Sequence, residues 1–442
     1  MSALESARDR FVAEHRAFAE SRRGEPAWLA AHRRDAIAAF AARGLPSTRE
    51  EEWRYTSLAP LAALSLPLAQ AARIERADLE ELATPLFACS LYVFANGRAL
   101  PELSSSPALP GGARCDSLAA LLADGASPIG AHLDHHIDIK QHPFAALNSA
   151  FATDGAVVRA PRGVAFEQPL HLVFASVADA TPRVTHPRVL VVAEAGSRVT
   201  IVQDHVSLGD GPDFTNAVTE VHVGPGATVH WVLLEREGDA RFHVSNLAVR
   251  QERDSAFSGH TLTLGGRLVR NDASVVLAGE GAECTLDGLF VGGGTSVLDN
   301  HTEVDHAVPH CTSRELYKGV LGGAARGVFR GRVIVRPDAQ KTAASQSNAN
   351  LLLGARAEVD TKPQLEIYAD DVKCSHGSTI GRLDENALFY LRSRGLPEPR
   401  ARDLLLRAFA LEVLERLPGR ALGEGLDDAV VDCLRRAGAE AV

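Results

Sequence analysis

The sequence predicts a mainly β protein: a right-handed parallel β-helix (solenoid) core flanked by N-terminal and C-terminal α-helical regions. Three observations carry this prediction. After Val157 short apolar runs follow one another, among them Val189–Val192, Val199–Val202, Thr228–Leu234 and Gly327–Val335, each the length of one buried strand. Turns with a recurring small residue, near Ser197, Ala227, Ala256 and Ala282, separate them at roughly 26 to 30 residues, and later turns near Ala339 and Ala355 come at about half that spacing. Almost no helical periodicity lies between the runs, which argues against βαβ units, and hairpin dipeptides are few, which argues against a sandwich. Asp210-Gly211 and Asp287-Gly288 are the plain cases.

The flanking regions follow from helical spacing. Residues 2–20 and 26–43 alternate apolar and charged positions; Trp28, Ile37 and Phe40 offer one face, and Gly44 with Pro46 closes the second helix. Glu50–Tyr55 follows a Ser-Thr capping signal and reads as a short helix whose Trp53 and Tyr55 dock on the next unit. These elements assign residues 1–88 to an N-terminal helical region, 89–380 to the β-helix core with a helical insertion at about 115–151, and 381–442 to a C-terminal helical region. In the last, Asp384 caps a helix carrying Leu388, Phe389 and Leu391, which Gly395 and Pro397 end. Pro399 opens another, with Leu404, Ala408, Leu411 and Leu414 along one face and Leu405, Phe409 and Val413 widening it, before Pro418-Gly419 stops it. A solenoid must cap its end coil, and these helices are the expected cap; their surplus apolar surface suggests a partner.

Composition narrows the function. With 442 residues, 45% hydrophobic and 23% charged, the chain can bury one large core plus appendages. A formal charge of -10 without a long Lys/Arg block argues against nucleic acid as the main partner. The start, MSALESARDRFVAEHRAF, is charged throughout, so neither a signal peptide nor a membrane span is expected and the protein is read as cytoplasmic. Six cysteines without CxxC spacing argue against a disulfide framework or a closed zinc site.

Cys374-Ser375-His376-Gly377 is the leading functional candidate. In an extended strand the thiol and the imidazole two residues on face the same side, so both can reach one metal ion or one partner surface. Two donors do not close a site that needs three or four. His132, His135, His136 and His142 fit no standard ligand spacing and read as a polar loop or helix face. His301, His306, His310 and Cys311 form a second donor group, read as structural. Gly292-Gly293-Gly294 lacks the GxxxxGK[ST] pattern and reads as a solenoid turn.

The string DDVKCSHGSTIG (370–381), followed by LFYLRSRG, resembles the SufD family, the non-catalytic scaffold subunits of the SUF iron–sulfur cluster assembly machinery. The likeness continues in REEEWRYTSL (49–58), ALNSAFATDG (146–155), HPRVLVV (186–192) and KTAASQSNANLLLG (341–354), and so covers nearly the whole chain. The resemblance implies a β-helix that is not an enzyme and that pairs with the paralogue SufB. His376 and Cys374 would then lie at the cluster-assembly interface, with His376 a transient metal ligand shared with the partner. It also implies binding of the ATPase SufC through the C-terminal helices, where Phe389, Arg392, Arg394, Leu404, Leu405 and Phe409 are the candidate contacts. No tightly bound cofactor is expected in the isolated chain, only a transient iron–sulfur cluster in the complex, and the isolated chain is a candidate homodimer. In SufB a sulfur-accepting cysteine and a glutamate stand where this chain has Asn348 and Gly377; an amide and a hydrogen can neither take up sulfur nor ligate iron. The competing readings are a β-helix carbohydrate lyase or hydrolase using carboxylates such as Glu220, Asp272 and Asp299, and a homodimeric iron or sulfur carrier acting alone.

Overall fold

The apolar runs pair into two largely parallel sheets that form a β-solenoid, in a computed structural model that describes residues 2–82, 89–105, 108–123 and 128–439. One ladder joins Arg198 to Thr228 and then Ala256, Glu283, Thr312, Ala343 and Lys373 in turn, so each coil takes about 30 residues. The facing ladder runs through Phe214, Phe242, Leu268, Val297, Arg326 and Glu358. Val191, Val221, Leu247 and Val275 from one sheet meet Leu172, Ile201, Val229 and Leu286 from the other in the interior. Parallel strands buried on both faces explain why the runs read as continuous apolar stretches.

Two corners per coil explain the halved turn spacing. Ser197, Ala227, Ser255, Ala282 and Cys311 are buried where the chain enters one sheet, and Ala339 returns to that corner two coils after Ala282; Ala325 and Ala357 are buried where it enters the other. The small residues expected at Ala256 and Ala355 are therefore Ser255 and Ala357. Ala256 begins a strand, and Ala355 is exposed. At Ser255 and Ala256 the pleat decides which of two neighbouring small residues points into the corner; Ala355 and Ala357 share a parity, and there the turn exposes the first and buries the second. Asp287-Gly288 is likewise no turn: it lies inside the Glu283–Gly292 strand, where Gly288 leaves room for the Tyr317 ring of the next coil.

The N-terminal helices Ala3–Ser21 and Ala27–Arg43 cover the outer face of the second sheet. Ser2 and Glu5 form a reciprocal capping box at the start of the first, and Gly44, at φ +73°, ends the second. Phe11, Phe40, Phe144 and Phe151 pack there against Phe214 and Phe242. Trp53 closes a 3-10 turn, Glu51–Trp53, instead of an α-helix, and its ring centroid lies 5.5 Å from Phe144 and 3.8 Å from the Arg270 guanidinium. The insertion expected to be helical from Cys115 opens as a strand, Arg114–Ser117, antiparallel to Gly155–Ala160; helices follow at Leu118–Ala123 and Pro143–Phe151. Arg114–Ser117 instead adds to the sheet edge, where Cys115 pairs with Val158. The expected boundary at residue 88 falls at the edge of 83–88, which lie outside the described residues, as do Met1 and 440–442.

The C-terminal helices Glu385–Ser393, Glu398–Leu414 and Arg420–Ala439 do not cap the end coil. Leu406, Ala410, Val413, Leu426, Val430 and Cys433 lie on the flank of the first sheet, against Val232, Leu262, Leu289, Val291 and Leu316. The outer face of those middle strands is itself apolar, and burying it outweighs covering the more polar end coil. No helix among the described residues is long and apolar enough to cross a membrane.

Candidate functional site

With the helices on the flank, the last coil stays open. Glu358–Ile367 and Lys373–Gly381 are the terminal strands of the two sheets, each paired on one side only. Every residue of Lys373–Gly381 except Cys374 is exposed. Ile367, Tyr368 and Ile380 are large apolar side chains left exposed around this rim. An unpaired, largely uncharged edge strand is a template for another chain.

Cys374 and His376 both sit on this strand and, two residues apart, point to the same side. Register fixes which side. Ala344, Gln346 and Asn348 are the buried positions of the preceding strand, and they pair with Cys374, His376 and Ser378. Thiol and imidazole therefore continue the interior column of the solenoid at its mouth. Cys374 is half-buried against the cluster of Val333, Val335, Ala339 and Ala344, and burial pushes its thiol up. His376 is exposed, and nothing lies within 4 Å of a Cβ placed on Gly377, so the strand approaches a partner without steric bulk.

Behind His376 the interior is polar. Gln346 lies one coil in and Glu315 two, in strict register. Gln346 Nε2 donates to Glu315 Oε2 at 3.1 Å and Thr302 Oγ1 donates to the same oxygen at 2.7 Å. Burial pushes the Glu315 carboxyl up to about 7, against these two hydrogen bonds. Asn348 donates to the Tyr317 carbonyl at 3.1 Å and accepts from Asn350 at 2.6 Å, so both ends of its amide are engaged inside the coil. The composition of this column gave no sign of its depth, because Glu315, Gln346 and His376 come together only through register.

The other donor groups do not converge. His301 points outward, with Nε2 3.0 Å from Asp299 and beside Arg270; His306 points inward to Ser313 Oγ at 2.8 Å; His310 sits at a corner with φ +61°. Cys311 is buried and donates to the Gly279 carbonyl at 3.4 Å. His136 stacks on His222 at 5.6 Å, and His142 precedes the Pro143–Phe151 helix. Among the described residues no three His, Cys, Asp or Glu side chains are placed to hold a metal ion. The carboxylates of the lyase reading are committed elsewhere: Glu220 is buried on Arg188, Asp299 accepts from Arg270 at 2.7 Å and Thr56 at 2.5 Å, and Asp272 pairs with Arg270. Carboxylates locked in ion pairs with arginine are not available as acid and base.

On the C-terminal helices the candidate contacts separate. Phe389 is 72% and Leu404 47% exposed, with Tyr390 and Leu411 exposed beside them. Arg392 pairs with Glu398 at 3.3 Å, and Arg394 donates to the Tyr390 hydroxyl at 3.1 Å. Leu405 is half-buried. Phe409 belongs to the solenoid side: Lys318 Nζ lies 4.3 Å from its ring centroid and donates to its carbonyl at 3.0 Å. The helix turns Leu406, Ala410, Val413 and Leu414 inward, so the expected face of Leu404, Ala408, Leu411 and Leu414 is split: the first three lie outward and Leu414 packs on the solenoid.

The core domain of SufBD proteins of SUF-system FeS cluster assembly matches residues 174–409, and the SufBD N-terminal region matches residues 9–172. An iron–sulfur cluster assembly SufBD family protein of Synechocystis is 36% identical over 382 residues, 85% of this chain and 84% of its own length. The iron–sulfur cluster assembly protein SufD of Escherichia coli is 32% identical over 388 residues, 86% and 87% of the two chains. SufD of Bacillus subtilis is 28% identical over 302 residues, 68% of each.

Proposed function

Because the chain belongs to the SufBD family of iron–sulfur cluster assembly proteins, we propose that it is the SufD-type scaffold, pairing with SufB through its open end coil. The observation that carries this reading is the half-paired Lys373–Gly381 strand, which presents His376 and Cys374 at an uncovered rim. Incomplete ligation suits the task. A site of two donors holds iron or a nascent cluster only when a partner supplies the rest, and it releases the cluster when the partner moves. The cluster is thus cargo, and the chain itself is no enzyme. Asn348, with both ends of its amide engaged inside the coil, supports a supporting role and not that of sulfur acceptor at that place.

The exposed stripe of Phe389, Tyr390, Leu404 and Leu411 is the surface we assign to SufC. The six cysteines are free, in keeping with work in the reducing cytoplasm.

The test is anaerobic affinity purification of the chain expressed with SufB and SufC, with mass and iron analysis of the intact complex. Recovery with both partners is expected. His376→Ala, a change at an exposed position, should keep the complex and assemble clusters at least about tenfold more slowly. A chain recovered alone, iron-free and unable to join added SufB and SufC, refutes the scaffold reading. Assembly at the wild-type rate by His376→Ala refutes the role of the imidazole.

A further inference from the structure

The polar pair behind His376 is short of one hydrogen. Glu315 Oε1 and Gln346 Oε1 are both buried out of reach of solvent and neither has a hydrogen-bond partner, although the two side chains are already joined by Gln346 Nε2 donating to Glu315 Oε2 at 3.1 Å. Thr302 Oγ1 spends its hydrogen on the same Oε2 at 2.7 Å. The amide fills the space that Gly331 leaves on the facing sheet, where an added Cβ would collide with Gln346 Nε2. Turning the amide over would set its carbonyl oxygen against a carboxylate oxygen, two acceptors again with no hydrogen between them.

We propose that Glu315 is held as a carboxylic acid whose O–H donates to Gln346 Oε1, and that this acid–amide pair is a proton switch on the end of the solenoid: protonated, it fastens the Ala343–Leu352 strand to the coil behind it, and deprotonated, it lets that strand loosen.

A carboxylic acid and an amide pair edge to edge, each donating one hydrogen and accepting one, so a single proton on Oε1 satisfies both bare oxygens. When the acid gives that proton to water at the open mouth, one hydrogen bond remains and two buried acceptors are left without a donor. The strand so held is the one on which Lys373–Gly381 is laid, and the far edge of Lys373–Gly381 is unpaired. How firmly the open edge is presented therefore follows the proton, whatever partner takes it.

The surroundings favour the acid. Glu315 faces Tyr317 on its own strand, Cys284 on the strand before it, Gln346 on the strand after it, and Thr302 and Gly331 on the facing sheet, with His306 further along and His376 one coil beyond Gln346. Burial keeps the protons on Tyr317 and Cys284 and holds His306 neutral, lowered to about 4. Among the described residues no cation faces the carboxyl: Arg314, Lys318, Arg326, Arg330 and Arg332 project from the outer faces of the strands around it. Asp287, on the outside of the preceding strand and beside Arg416, opposes a second negative charge. Burial first, and Asp287 after it, push Glu315 up to about 7. The folded coil thus keeps a proton that an opened coil releases, so the strand is held best in acid, loses hold as pH rises from 4.5 to about 7, and changes little above that.

The experiment measures hydrogen exchange of the full chain by mass spectrometry near pH 6 and near pH 9, corrected for the intrinsic pH dependence of exchange. Protection of residues 343–352 should fall about tenfold between the two. In Glu315→Gln, whose amide N–H stands in for the O–H of the acid, it should change less than about twofold. Infrared spectra near pH 6 should show a carboxylic-acid carbonyl band that Glu315→Gln removes and that Gln346→Leu shifts, because the O–H then loses its acceptor. A wild-type strand equally protected at both pH values overturns the proposal. So does the same loss of protection in Glu315→Gln, or an acid band which that variant leaves intact. If Glu315→Gln does not fold, Gln346→Leu decides: an unshifted band refutes the pair.

Discussion

Glu315→Gln should stabilise the protein at neutral and alkaline pH and leave it unchanged in mild acid. Glu315 is buried inside the solenoid two coils behind His376, accepts both its hydrogen bonds on one oxygen, and leaves Oε1 without a side-chain or backbone partner. Burial, with a smaller contribution from the nearby Asp287 carboxylate, pushes its carboxyl from 4.5 to about 7. At about 1.4 kcal/mol per unit, ionising it in the native state costs on the order of 3 kcal/mol. The native protein keeps a proton that the unfolded chain releases between 4.5 and about 7, so stability falls as pH rises through that window and is level above it. The glutamine retains an acceptor for Thr302 and Gln346 and never ionises. Urea denaturation should therefore give a gain of roughly 2 to 3 kcal/mol for the variant near pH 8, and a difference within about 0.5 kcal/mol near pH 4.5. Equal stability at both pH values, or a loss near pH 8, would show that the carboxylate is compensated inside the coil and would refute the reasoning.

Three further substitutions test the packing and the flank. Trp53→Ala removes the ring between Phe144 and Arg270 and should cost about 3 to 5 kcal/mol in urea denaturation; a loss below about 1 kcal/mol would mean the N-terminal region is not anchored there. Phe389→Asp and Leu404→Asp, at exposed positions, should leave stability within about 0.5 kcal/mol yet abolish co-purification of SufC, and undiminished recovery would move the ATPase contact elsewhere.

Local chemistry made the architecture legible. Apolar runs of strand length, small residues at corners and helix caps such as Asp384, which accepts from Asn386 N at 2.8 Å, are short-range features that sequence displays directly. The Cys374/His376 pair was visible for the same reason: a two-residue spacing in a strand needs no tertiary information to share a face. Where two adjacent small residues competed for a corner, as at Ser255 and Ala256, only the pleat decided, and between Ala355 and Ala357 the path of the turn did. The helical reading of Cys115 failed similarly, because pairing with Val158 outweighed a weak local pattern.

The sequence by itself determined that this chain coils into a solenoid with helical flanks, and that a thiol and an imidazole lie together near its end. Tertiary structure decided which flank the C-terminal helices cover, and so which coil is left open, because that turns on the apolar area available across strands about 30 residues apart. It also decided the meeting of Glu315 with Gln346 behind His376. Such contacts depend on the register each corner sets between neighbouring coils, and corners of different length keep the same face inward, so their partners cannot be read off a fixed repeat.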